Sequence, residues 1–139
     1  PENEFFKTLS TVRRVLEPEL AYIAASTATE EDIAHIKKAY AGMEQASTIE
    51  EFIQPDIDFH LSIAKATHND LLAYMSKMLV LPLQQSIQVT SLRPNLQNHS
   101  LPRHKAILTA IENKDPLSAR HASLVQLEDT KMAYDLIKK

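Results

Sequence analysis

The sequence predicts an all-α protein, an antiparallel bundle of helices joined by short connections. Three observations carry that reading. Apolar residues recur at helical spacing in segment after segment. The breaks between segments hold Thr, Asn or Asp followed by acidic residues or proline, which is the chemistry of helix caps. Glycine occurs once in 139 residues, at Gly42, whereas sheets, hairpins and phosphate-cradling loops need it wherever φ is positive or backbones approach closely.

Six helical segments follow in order. The first spans about 4–26, with Leu9, Leu16, Leu20 and Ile23 on one face. Pro18 inside it is expected to kink or restart the helix, because its ring lacks the N–H and crowds the preceding turn. Thr29 and Asp32 form a capping-box pattern for a second helix that ends near Gln45. Thr48, with Glu51 three residues on, starts a third that continues to Thr67; Pro55 allows its ordered part to begin as late as the proline. Asn69 caps a fourth, which carries Leu71, Leu72, Met75, Met78 and Leu79 and bends at Pro82 on its way towards Val89. Residues 91–100 are expected to be the longest loop. A fifth helix spans about 101–113, and Asp115-Pro116 opens a sixth that runs nearly to the C-terminus.

A chain of this length supports one domain with one core. It has no cysteine, which excludes disulfides, zinc fingers and thiol catalysis. A single glycine argues against P-loop or dinucleotide-binding chemistry. The net charge of −3 supplies no electrostatic reason for direct contact with nucleic acid. No apolar run approaches the ~18 residues of a membrane span and no signal peptide opens the chain, so the expectation is a soluble, cytoplasmic protein.

Polar residues on the core faces are the informative ones. Asp56 and His60 stand four apart in the third segment, on one helical face. His104 lies among Ile107, Leu108 and Ile111 on the apolar face of the fifth. An acid and two imidazoles turned into one core are donors for a buried divalent metal; the other reading is a set of hydrogen-bonded core side chains, since unpaired burial is costly. The last helix turns Ala119, Ala122, Ser123, Gln126, Thr130 and Ala133 inward. These small residues leave room for a cavity or permit close packing, and Gln126 is the long polar side chain among them. Arg13 falls between Leu9, Leu16 and Leu20. Its guanidinium suits bidentate recognition of a carboxylate or an internal salt bridge with Glu17. Gln85, Ser86 and Thr90 are candidate polar contacts on the bent fourth helix. His35, His68, His99 and His121 fall at exposed, cap or loop positions and are read as structural or solvated. No nucleophile–base spacing and no paired Glu-x-x-His motif is present, so binding is favoured over turnover.

Four blocks then carry a family resemblance: Val12-Arg13-Arg14-Val15-Leu16-Glu17-Pro18-Glu19; Asp56-Ile57-Asp58-Phe59-His60 through Ile63-Ala64 to Asn69; His104-Lys105-Ala106-Ile107 through Ala110-Ile111; and Asp115-Pro116 with Ala119-Arg120. In this order and spacing they resemble the FCD domain, the C-terminal effector domain of FadR-subfamily GntR transcriptional regulators. The resemblance covers nearly the whole chain. It implies six or seven helices around a central ligand cavity, a homodimer, and a zinc or nickel ion held by one Asp and three His. A small organic acid would bind at that ion and modulate DNA binding by an attached winged-helix domain.

Carried over by residue, the metal ligands are Asp56, His60 and His104, and Arg13 matches an arginine facing the ligand cavity. Two departures matter. Gln126 stands where the metal-binding members have His, and an amide oxygen is the weaker ligand for a transition metal. The winged helix-turn-helix has no counterpart in residues 1–139, which read as one effector-binding and dimerisation domain; DNA contact would then need a winged-helix domain outside this chain. The expectation is a sensor rather than an enzyme. Its alternatives are a metal-dependent helical-bundle enzyme with a reactive water at Asp56, His60 and His104, and a metal-free dimerisation module.

Overall fold

Helix α1 (Glu2–Thr27) runs unbroken through Pro18, so the expected restart does not occur. The proline is buried, and packing on both sides of it offsets one lost backbone bond. The computed structural model describes the backbone of residues 2–90 and 96–138, and the side chains of residues 4–90 and 98–136. Among the described residues there are seven helices and no strand.

Helix α2 (Glu30–Gln45) starts as its sequence predicts. The Thr29 hydroxyl accepts from the Asp32 N–H at 3.1 Å, and the Asp32 carboxylate accepts from the Thr29 N–H at 2.8 Å. Helix α3 (Ile49–Lys65) starts at its Thr48 cap and continues through Pro55, earlier than the proline alone required. Gly42 explains how α2 and α3 close over that proline: a Cβ there would stand 3.0 Å from Pro55 Cβ and Cγ.

The expected fourth helix is two, α4 (Asp70–Met78) and α5 (Val80–Thr90). The break falls at Leu79, not at Pro82. A proline cannot donate to the carbonyl four residues back and clashes with it. Ending the helix one turn earlier puts Pro82 in the first turn of α5, where an N–H has no helical partner anyway. Helix α6 (Leu96–Glu112) begins ahead of expectation. Residues 96–100, expected in the loop, are helical; residues 91–95 lie outside the described residues. Asp115 caps α7 (Pro116–Lys138) by accepting from the Ser118 N–H at 3.2 Å.

Packing sets α1 against α7, α2 against α3, and α6 against both α7 and α2. Ile36, Met43, Phe52, Phe59, Ile107, Leu108 and Ile111 form the fully buried centre. The inward stripe of α7 is as expected, with Ala119, Ser123, Gln126 and Ala133 buried. No helix among the described residues is long and apolar enough to cross a membrane.

Candidate metal centre

One buried line of polar side chains crosses this core. It starts at Arg13 on α1, whose guanidinium pairs with Glu17 one turn on, through Nε and through a second nitrogen at 3.2 Å. Glu17 Oε1 lies 3.0 Å from His60 Nδ1. His60 Nε2 lies 3.2 Å from Asp56 Oδ1, and His104 Nε2 reaches the same oxygen at 3.0 Å. His104 Nδ1 ends the line 2.8 Å from the Ser100 carbonyl oxygen. Four residues separate Arg13 from Glu17, Asp56 from His60, and Ser100 from His104, so each pair meets on one helical face.

Burial opposes every charge here, and the neighbours outweigh it. It disfavours the His60 imidazolium, yet Glu17 and Asp56 raise the pKa to about 9. It disfavours ionised Glu17, yet Arg13 and His60 lower that pKa to about 2. Asp56 is held well below the usual carboxylate range despite burial, by His104 and then His60. The Arg13 pKa is raised: burial lowers it, and the Glu17 and Asp56 carboxylates more than compensate.

Both imidazoles turn Nε2 towards Asp56 and Nδ1 towards an acceptor outside it. A neutral ring has one N–H to offer. A divalent ion would displace the protons that Nε2 shares with Asp56; each ring would then keep its N–H on the outward nitrogen, with the Nε2 lone pairs converging beside the carboxylate. Metal-bound histidines are held in this way, by a carboxylate or carbonyl on the other nitrogen. Candidate donor atoms of Asp56, His60 and His104 all lie within 4.8 Å of one another. Ligands about 2.1 Å from a tetrahedral zinc stand roughly 3.4 Å apart, close to the observed 3.0 and 3.2 Å. The donor set therefore fits a divalent ion.

Arg13, Asp56, Ser86, Thr90 and Gln126 line one cavity of about 30 Å³. Gln126 Nε2 donates to the Thr130 hydroxyl at 3.0 Å, while its buried Oε1 has no hydrogen-bond partner among the described residues. Gln85 is exposed and lies outside the lining, since a helix turns about 100° between it and Ser86. His35, His68, His99 and His121 are exposed. Ser100 and Arg103 of α6 and Asp129 of α7 also line it; the sequence reading missed Ser100 because the start of α6 was read as loop. It also missed the Glu17–His60 contact. The available signal was the placement of Glu17 four residues after Arg13, beside Leu16 and Leu20. A groove of about 420 Å³ between α1 and α7 shares Arg13, Ser86 and Thr130 with the cavity.

The FCD domain family model matches residues 8–129. The Uxu operon transcriptional regulator of Escherichia coli K12 is 35% identical over 138 residues, covering 88% of this chain and 51% of its own. The Galactonate operon transcriptional repressor of the same organism is 29% identical over 133 residues, 91% of this chain and 58% of its own. The chain thus spans about half the length of the curated relatives it matches. Two solved structures share the fold. Streptococcus agalactiae GntR superposes with a TM-score of 0.79 at 23% identity, over 92% of this chain and 58% of that one. E. coli McbR/YncC gives 0.81 at 18% identity, over 94% and 68%. The relatives are transcriptional regulators, not enzymes. The chain belongs to the FCD domain family, the regulatory effector-binding domains of GntR-type transcriptional regulators.

Proposed function

We propose that this domain senses a small organic acid at a divalent metal held by Asp56, His60 and His104, with the Gln126 amide oxygen as a weaker fourth donor. One observation carries the reading: both Nε2 atoms converge on Asp56 while Glu17 and the Ser100 carbonyl hold the opposite nitrogens. Two imidazoles, a carboxylate and an amide suit zinc or nickel. The ion would supply Lewis-acid coordination for the acid's carboxylate. Arg13 adds positive charge to the same wall, and Ser86, Thr90 and Gln126 add hydroxyl and amide groups. The Galactonate operon transcriptional repressor bears the name of a sugar acid, and a carboxylate flanked by hydroxyls is the chemistry this lining matches.

At about 30 Å³ the cavity accommodates water-sized groups only. An organic acid enters by moving a wall, and the groove between α1 and α7 is the adjoining space. The effector therefore favours one arrangement of α5 and α7 over another, a population shift. A winged-helix domain outside these residues would read that shift at DNA, within a cytoplasmic regulator.

Thermal unfolding of EDTA-treated protein, with zinc or nickel added back, tests the centre. Ligand at about a hundred times its dissociation constant stabilises by about 2.7 kcal/mol. The expected result is an upward shift in midpoint that His104→Ala abolishes. No shift would remove the metal from the reading. Calorimetric titration of metal-loaded protein with galactonate then tests the sensor, with saturable binding and an unaltered ligand expected.

A further inference from the structure

Two threonines in the wall of the small cavity have already spent their protons. The Thr90 hydroxyl donates to the Ser86 carbonyl oxygen at 2.9 Å, and the Thr130 hydroxyl donates to the Gln126 carbonyl oxygen at 3.1 Å. A hydroxyl has one proton, so both can only accept from whatever enters. Gln126, 6% exposed, is fixed by the second of them. Its Nε2 donates to Thr130 Oγ1 at 3.0 Å. Turned over, the amide would set Oε1 against an oxygen with no proton left to give, and two acceptors would face each other. The end of Gln126 left without a partner among the described residues is therefore an acceptor, Oε1.

A buried acceptor is costly unless something donates to it, and here the donor must come from the occupant. The carboxylate oxygens of an organic acid cannot serve, and neither can the oxygen of a ketone. A hydroxyl can. Asp56 of the metal centre and Gln126 line the same cavity of about 30 Å³, so the group that reaches Oε1 is bonded close to the carboxylate held at the centre. In a hydroxy acid that group is the 2-hydroxyl. An amide oxygen has two lone pairs, so accepting from this hydroxyl is compatible with donation to an ion.

We propose, resting on the metal-centred reading above, that Gln126 Oε1 accepts from the 2-hydroxyl of the effector and so selects 2-hydroxy acids over the 2-oxo acids of the same carbon skeleton. Calorimetric titration of the zinc-loaded chain with galactonate against 2-oxogalactonate, and with lactate against pyruvate, reads the preference as a ratio of dissociation constants. The hydroxy acid should bind about 10-fold or more tightly than its partner, because the oxo acid leaves Oε1 unpaired. Gln126→Met keeps the length, removes the acceptor and should bring the ratio to about one. Thr130→Val releases the amide and should lower the ratio, whereas Thr130→Ser keeps the hydroxyl and should preserve it. This second pair leaves every candidate metal donor in place, so the ratio remains measurable if Gln126→Met loses zinc. A role in packing alone would weaken both acids alike and leave the ratio unchanged. Equal affinity of the wild type for both acids, or a preference that survives Gln126→Met or Thr130→Val, overturns the proposal and leaves the sensor standing. Binding of no acid of either kind removes the sensor reading, and the proposal with it.

Discussion

Two sets of ion pairs tie helix α1 into the bundle, and their main difference is contact with water. In one, Arg13, Glu17, His60, Asp56 and His104 are each no more than 11% exposed. In the other, Arg14 reaches Glu128 at 3.3 Å, with side chains 54% and 59% exposed, and Glu19 holds Arg120 at 2.8 Å beside the Tyr22 ring. Neighbouring residues on one helix thus enter opposite regimes. Outside, water screens the pair and its removal changes little. Inside, each ion has already lost its hydration, so it depends on its neighbours, and removing one strands the rest. The inner line can therefore set geometry for a ligand, and the outer pairs cannot.

The widest separation between the two sets should come from Glu17→Ala. It leaves Arg13 buried without its carboxylate and should lower stability in urea by about 3–5 kcal/mol; a loss under about 1 kcal/mol would make the inner pairs no different from the outer. Next comes pH, in EDTA-treated protein. His60 holds its proton more tightly when folded, so its contribution is whole below its ordinary value of 6.5 and is lost as pH rises through about 9. Glu17 runs the other way, whole above 4.5 and lost as pH falls towards about 2. Stability should therefore be highest between about pH 4.5 and 6.5 and should fall by on the order of 3 kcal/mol by pH 9 or above. A flat profile in denaturant melts would count against the His60–Glu17 contact.

Glu17→Gln keeps the shape and removes the charge behind His60. In a chelator competition it should weaken zinc binding by about 10–100-fold, and an unchanged affinity would separate Glu17 from the metal centre. The smallest effect belongs to the outer set. A double-mutant cycle on Arg14 and Glu128 should return about 0.2–1 kcal/mol, vanishing in 1 M salt.

Much of this was legible along the chain. The Thr29, Thr48, Asn69 and Asp115 caps act where the sequence placed them, because a cap is a contact within one turn. The faces of Arg13, Asp56, His104 and Gln126 also followed from period alone, because burial obeys the 3.6-residue turn. The prolines were harder. Pro18, Pro55 and Pro102 lie inside continuous helices, while Pro82 moved its break back to Leu79. The local penalty is similar at each site, and packing elsewhere in the bundle decides whether the helix absorbs it.

By itself, then, the sequence determined the helical class, most of the caps, the single core and the polar residues that face it. Each of these depends on neighbours within a turn or two. Only the tertiary structure decided that Glu17 stands behind His60, that Ser100 holds His104, that Gln85 turns outward, and that α4 packs Leu72 on the core while Leu71, Tyr74 and Met78 stay exposed. Those outcomes depend on distances between helices far apart in the chain, set by how whole surfaces pack.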